Sequence, residues 1–506
     1  MPQARTLHTI LLLMRKLTFL TLLPLYFCQA QTDSCTIVWD PIKQISFDTA
    51  YSVAPQVIAE GDAIHVLWFN PYVVPSPDSL LGIFYSHSFD GGKIFSPPRQ
   101  LFSLDSARGN PGRLAVSGEF IYLLYLSPPE PPWSYPDIMA IMRSTDAGMS
   151  WEPKKLLGDL TPRAITAHDS SVYIRYSYDD TTGGEHHFYS GCMVSHDFGV
   201  TFETVGLGLP PYPGDGSNGM NTLAYLANSL HYVYSKGVGS GGVGSYEILY
   251  SLSTDFGRTW IVPDTLSVKD TIDSVWPRIA GDDEGNVYVV WYDGKYGSID
   301  GFHGTVIMRK SSNNGLIWGP EVVLTSTPTA YIPSIDASVD GYVLVVWQEY
   351  VDYYRDRSLL RTSTDFGNTW CDTVSVSTEG TVVTSFLISR NSVHSALTDI
   401  REVYYRRGQL PLFAQPVPNT ALLFNCYPNP FNTGTVIQYE LSMRDKVDLD
   451  IYDVLGRRVA TLMSDETKEP GRYEVRFQPD NLASGVFFYR LKTTTYQETK
   501  KLIFMK

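Results

Sequence analysis

Charge is scarce in this chain. Asp, Glu, Lys and Arg make up only 18% of its 506 residues, and the formal net charge is −14. No run of Lys or Arg interrupts that acidic balance. A nucleic-acid partner needs a basic face, so nucleic acid is disfavoured as a ligand. Cysteine is scarce too. Cys28 lies in an N-terminal leader, leaving Cys35, Cys192, Cys371 and Cys426. These four show no Cys-x-x-Cys pair and no metal-ligand spacing, so no metal or cofactor is expected. Cys35 and Cys371 fall near what read as adjoining outer strands and are candidates for a disulfide; isolated buried thiols are the alternative. The glycine-rich run Gly237 to Gly244 lacks the Lys and following helix of a phosphate loop. Long apolar runs are missing except for Leu17 to Phe27, which follows Arg15 and Lys16 and precedes Cys28-Gln29-Ala30. That run is too short for a membrane span. Residues 1–30 read as a secretory signal peptide, with no span expected in the mature chain.

What the chain has in quantity is aromatic and turn-forming residues. There are 33 Tyr, 10 Trp, 40 Gly and 32 Pro. This is the composition of an all-β exported protein with many turns.

One motif returns six times: Ser-x-Asp-x-Gly-x-x-aromatic. Its glycines are Gly92, Gly148, Gly199, Gly257, Gly315 and Gly367, spaced 51 to 58 residues apart. The acidic position is Asp90, Asp146, Asp197, Asp255, Asn313 and Asp365. A fixed period of that length marks a repeat architecture. Chemically the motif is a hairpin turn. Gly supplies positive φ, the Ser and Asp side chains bond nearby N–H groups, and the aromatic residue starts the next strand. These Asp residues therefore read as structural. Equivalent carboxylates spread around a ring cannot converge on one substrate.

The motif resembles the Asp-box, or BNR, repeat of the sialidase superfamily, over residues 36–408. The resemblance implies a β-propeller. First strands begin near residues 54, 111, 162, 219, 277, 332 and 384, which favours seven blades; six is the alternative. The last unit has no box. Its missing outer strand is expected from Ile37-Val38-Trp39-Asp40-Pro41, pairing with residues 400–407 and so removing a free sheet edge.

Residues 409–420 have the composition of a stiff linker. Residues 421–506 read as a small Ig-like β-sandwich: Val447, Leu449 and Ile451 alternate with Asp448 and Asp450, and Asp453-Val454-Leu455-Gly456 is a turn. The opening Tyr427-Pro428-Asn429-Pro430-Phe431-Asn432, the Leu482-to-Leu491 strand and the Lys500-Lys501-Leu502 ending resemble the type A C-terminal sorting domain of the type IX (Por) secretion system. That resemblance implies type IX machinery as a partner, and secretion or surface display by a Gram-negative bacterium of the Bacteroidetes type.

Binding chemistry is expected at the ring end that carries the first-strand starts. Arg113, Arg163 and Arg278 stand there and can form an anion clamp; salt-bridged structural arginines are the alternative. Trp133, Tyr135, Trp276, Tyr292, Tyr331 and Tyr353 supply aromatic faces suited to sugar rings, or else simply pack on one another. The resemblance also implies a substrate-clamping Arg in an Arg-Ile-Pro string, but Pro55-Gln56-Val57 stands in its place. No Tyr–Glu nucleophile pair is evident, and the Asp179, Asp180, Glu185, His186, His187 cluster reads as a solvated loop. The reading that results is a non-catalytic glycan- or protein-binding propeller. A divergent sialidase-type glycoside hydrolase and a bare surface scaffold are the alternatives.

Overall fold

Each Ser-x-Asp-x-Gly turn closes on itself. In the second, Ser144 Oγ donates to Asp146 Oδ1 at 2.8 Å and accepts from Gly148 N at 2.8 Å. Asp146 Oδ1 accepts from Ser150 N at 2.8 Å, and its other oxygen accepts the Ser150 hydroxyl at 2.6 Å. The pattern repeats at Asp197, Asp255 and Asp365 with Thr201, Thr259 and Thr369. At Asn313 the amide oxygen takes the same N–H, from Ile317. Gly148 has φ 86°, and a Cβ there would lie 1.8 Å from Tyr85 Oη of the preceding repeat. The glycine is thus required twice, once by its backbone angle and once by this close approach.

The computed structural model describes residues 35–505 except 48–50, 71–81, 104–111, 128–137, 181–186, 206–221, 239–244, 283, 297–303, 326, 353–354, 400, 412–420, 424–425, 427, 442–443, 455, 470, 480–481 and 494–496. The expected signal peptide lies outside these residues, as does most of the expected linker. The chain divides into two units, Met1–Pro411 and Leu412–Lys506. Residue 409, assigned above to the linker, ends the strand Val403–Gln409.

Among the described residues the first unit is built of seven antiparallel sheets. Their first strands are Val53–Glu60, Arg113–Ser117, Thr161–His168, Thr222–Leu226, Ser274–Gly281, Ala330–Ala337 and Val382–Ser389, which number the sheets 1 to 7. Each first strand packs on the next, and the seventh packs on the first, so the sheets form a closed ring. Second strands such as Val287–Asp293 are buried along their whole length, which explains the apolar run from Val287 to Tyr292. The N-terminus completes sheet 7. Val38 pairs with Gln409, Trp39 with Gly408, and Lys43 with Tyr405. Cys35 and Cys371 are disulfide-bonded, while Cys192 and Cys426 are free and buried.

One core residue breaks the pattern. The second-strand position opposite the channel end of each first strand holds Leu67, Leu124, Val233, Val290, Val346 and Ala396. In sheet 3 it holds Arg175, which is 2% exposed. Its guanidinium lies 4.1 Å from the Tyr232 ring centre, and its Nε has no hydrogen-bond partner. Desolvating a cation against neutral groups alone is costly. Arg175→Leu is expected to leave the fold as stable or to stabilise it by about 1–4 kcal/mol. Chemical denaturation measures this; a clear loss would mean that the cation–π contact outweighs desolvation.

The second unit has a three-stranded sheet (Ala421–Leu423, Thr435–Leu441, Gly471–Phe477) and a four-stranded one (Arg458–Lys468, Asp445–Asp453, Gly485–Lys492, Gln497–Phe504). Both feed one core that includes Ile437, Tyr439, Leu449, Ile451, Tyr489 and Leu502. The motifs at its two ends meet. Phe431 N donates to Ile503 O at 3.0 Å, Met505 N to Phe431 O at 2.8 Å, and Ile503 N to Asn429 Oδ1 at 2.8 Å.

Candidate functional site

The two ends of the ring are chemically different. The boxes sit at the end where first strands turn into second strands. Ala147 N, for example, donates to Glu119 O, Asn314 N to Gly285 O and Phe366 N to Gly341 O. Box side chains are used within their own turns. The hydroxyl and N–H of Ser150 hold Asp146 below the usual carboxylate range, and those of Thr201 do the same for Asp197. These carboxylates have no free geometry for chemistry.

The opposite end is the mouth, where first strands start. Arg113 opens the first strand of sheet 2, and Arg278 lies in that of sheet 5. Arg163 occupies a bulge in sheet 3, where the register shifts between Pro162 and Ala164, and its Nε donates to Ser177 Oγ at 2.8 Å. Arg113 lies within electrostatic reach of each of the other two. Burial, then the Arg163 charge, lowers the Arg113 pKa. Burial, then the Arg113 charge, lowers that of Arg278 to about 10. Sheets 2 and 5 lie across the ring from each other, so these two residues belong to opposite sides of it. All three side chains are only half-buried.

Gln56, which stands in place of the missing Arg, is used structurally. It donates through Nε2 to Gly112 O and accepts from Leu114 N at 3.2 Å, tying sheet 1 to sheet 2.

Of the aromatic candidates, Trp133, Tyr135 and Tyr353 lie outside the described residues, as do Glu185 and His186. Trp276 and Tyr292 are brought together, with ring centres 5.3 Å apart at 52°. Trp276 has φ 57° and precedes Pro277; Ile332 before Pro333 and Ala54 before Pro55 have φ 44° and 50°. The register shifts at all three places. Positive φ is costly for Trp and Ile, and such strain gathers at binding mouths. Tyr331 Oη donates to Asp356 Oδ2. Burial, then Asp356, raises the Tyr331 pKa, so the phenol keeps its proton. Among the described residues no three of His, Cys, Asp and Glu are placed to hold a metal.

The decisive comparison concerns the second unit. Residues 425–505 match the secretion system C-terminal sorting domain. A sorting domain of this kind indicates export through the type IX system, to the cell surface or outside. No curated protein matches the chain. Among solved structures, a PL25 ulvan lyase matches at 11% identity and TM-score 0.50, over 72% of this chain and 95% of the other. The likeness is one of fold, an all-β propeller-like architecture. The Hadza microbial sialidase Hz136 matches at 12% identity and TM-score 0.43, over 73% and 68%. A protein of unknown function from Dyadobacter fermentans DSM 18053 matches at 14% and 0.40, over 64% and 98%.

Proposed function

We propose that this chain is an exported, non-catalytic binding protein. In this reading a signal peptide (1–30) precedes a seven-bladed propeller (36–409), a linker (410–420) and an Ig-like sorting domain (421–506). The mouth of the propeller binds an anionic group on a glycan or on a surface protein. The observation that carries the reading is that Arg113, at a first-strand start, lies within electrostatic reach of both Arg163 and Arg278. Like charges held together are relieved by a bound anion, and planar guanidinium groups suit carboxylate or sulfate. Trp276 and Tyr292 stand two residues and one strand away from Arg278, where a sugar ring bearing that anion can stack.

One observation favours turnover instead: the Tyr331–Asp356 pair at the mouth resembles an activated hydroxyl in outline. Its electrostatics argue the other way. Burial and the carboxylate both raise the phenol's pKa, so the resting group is a neutral phenol and would have to pass its proton to Asp356 as it attacked. Titration calorimetry with sialyllactose, polygalacturonate and neutral dextran tests the reading. The anionic sugars are expected to bind and dextran not to. Arg278→Ala should weaken binding roughly ten- to a hundredfold, as for a charged hydrogen bond of about 1.5–3 kcal/mol. Release of product from a fluorogenic sialoside, lost in Arg278→Ala, would sink the non-catalytic reading.

A further inference from the structure

The two sheets of the sorting domain present different faces. In the four-stranded sheet Leu449, Ile451, Tyr489, Leu491 and Leu502 point into the core. The residues between them therefore point outward. The register lines these up. Arg458 pairs with Tyr452, Tyr452 with Phe488 and Phe488 with Lys501, one row across all four strands. The next row runs from Thr461 through Asp450 and Arg490 to Thr499. Beyond it Lys492 stands opposite Asp448. Lys492 and Lys501 are exposed, and the Arg458 side chain is 61% exposed. Arg490 is held over the Tyr452 ring, 4.5 Å from its centre, and its Nε donates to Thr499 Oγ1 at 3.0 Å. The carboxylates are drawn down onto the sheet instead. Asp450, whose side chain is 13% exposed, accepts Thr461 Oγ1 at 2.6 Å. Asp448 Oδ1 accepts Asp465 N at 2.7 Å.

In a chain of net charge −14, this face sets cations around two half-buried aromatic rings. Folding does not require it. Outward strand residues contribute little to stability, so their charge is free for another use. The three-stranded sheet shows the contrast, because its outward polar groups satisfy one another. Arg472 Nη2 donates to Gln438 Oε1 at 3.1 Å, and Gln438 Nε2 donates to Glu474 Oε1 at 2.7 Å. The stretches 482–491 and 500–502, which carry the sorting-domain resemblance, supply Phe488, Arg490 and Lys501 to the cationic face.

We infer that this sheet face docks on an acidic protein surface of the type IX export machinery. Charge complementarity is the argument. Arg458 and Lys501 end their row three strand spacings apart, about 14 Å. The partner then needs carboxylates on both sides of a patch that accepts Tyr452 and Phe488. Half-buried rings beside arginine suit a packed protein surface, whereas a bilayer takes protruding apolar side chains. The inference rests on export through the type IX system and is independent of what the propeller binds.

The test follows the full chain in a bacterium with a working type IX system and in an isogenic strain without one. Lys492→Glu with Lys501→Glu reverses the charge at two exposed positions. The exported fraction is expected to fall roughly tenfold, with the chain held in the periplasm and its melting temperature unchanged. Lys492→Gln with Lys501→Gln removes charge without adding repulsion. It should also be exported less, and it carries the test if the reversed variant folds poorly. Lys492→Arg with Lys501→Arg should be exported normally, and so should Arg472→Glu with Arg476→Glu on the other sheet. Unchanged export of the Glu and Gln variants, or an equal loss in the Arg472 and Arg476 variant, would overturn the docking face. Phosphatidylglycerol vesicles are the probe for a lipid surface. Vesicle binding that the reversal abolishes, with export unaffected, would give the face to lipid and overturn the inference. Equal export of the unmodified chain from both strains would overturn the type IX reading itself.

Discussion

Replacing Cys35 with Ser should lower the melting temperature of the first unit by several degrees and open the ring at one place. The Cys35–Cys371 bond joins residues 336 apart in sequence, with Cα atoms 6.0 Å apart. Cross-linking so long a loop restricts the unfolded chain strongly; native disulfides typically contribute about 2–4 kcal/mol. The bond also holds a strap. From Cys35 on sheet 6 the chain crosses to sheet 7, where Val38–Trp39 and Lys43–Gln44 form two short pairings with Val403–Gln409. Arg406 lies over the Trp39 ring at 5.1 Å. Lys43 Nζ then reaches sheet 1, donating to Gly92 O at 2.8 Å and Lys93 O at 2.7 Å. Three consecutive sheets are thus stitched where the ring closes. Two-residue pairings are weak by themselves, and the covalent end keeps them in register.

The effect should therefore be local as well as global. In Cys35→Ser, amides of residues 38–44 and 403–409 should exchange hydrogen faster than those of sheets 3 and 4. Calorimetry and hydrogen exchange on the oxidised, reduced and mutant proteins measure both effects. Equal melting and equal exchange in all three would show that the strap closes the ring without its bond. The bond suits a chain that carries an export signal, since disulfides persist outside the reducing cytosol.

The parts of this molecule that can be read from sequence are those whose bonds are local. The box is legible because Ser144, Asp146, Gly148 and Ser150 satisfy one another within seven residues. The strap strand is legible because Ile37 to Trp39 repeats the pattern that follows other boxes. The arginines announce themselves by their place at first-strand starts. Their electrostatic coupling does not, because Arg113 and Arg278 influence each other only once the ring has closed with a given number of sheets. The stack of Tyr178 on Tyr189 is hidden for a similar reason: in sequence these are two tyrosines of a Tyr-rich stretch, and only the pairing of their strands brings the rings together. Arg175 looks like an ordinary outward strand residue until its six counterparts are aligned and all prove aliphatic. The residue beneath each box glycine is also out of reach, since Tyr85 and Gly148 belong to different sheets.

That contact leads to the second large effect, which is acid unfolding between about pH 6.5 and 4. In sheets 1, 4 and 7 the tyrosine under the next box is bonded to a buried histidine. His65 Nδ1 meets Tyr85 Oη at 2.7 Å, His231 meets Tyr250 at 2.8 Å and His394 meets Tyr405 at 2.7 Å. The histidines are 1%, 0% and 2% exposed. In the second pair His231 Nε2 faces Leu226 O, which can only accept, so the ring is an Nε2–H tautomer and Tyr250 donates to Nδ1. Burial lowers all three pKa values to about 4, helped by His87 beside His65 and by Arg407 beside His394, where Asp62 opposes the shift; at His231 the Leu226 carbonyl and Asn314 oppose it. A folded pKa below the unfolded value of about 6.5 means that the fold binds fewer protons. The stability each pair contributes is full above pH 6.5 and is lost as pH falls through 4, by about 3 kcal/mol per histidine. Asp336 works in the opposite direction. Burial raises it to about 6, and the folded state gains from its protonation over the same range, offsetting about one histidine. Burial raises Glu247 as well. Three losses against these gains leave a net fall of several kcal/mol, a large part of the stability of an ordinary domain. Urea unfolding at pH 7 and pH 4.5 should show it. Replacing His65, His231 and His394 together by Gln, which keeps a hydrogen-bonding group but does not titrate, should flatten the pH dependence. A midpoint that stays constant between those pH values in the unmodified protein would refute the assignment, and so would an unchanged slope in the triple variant.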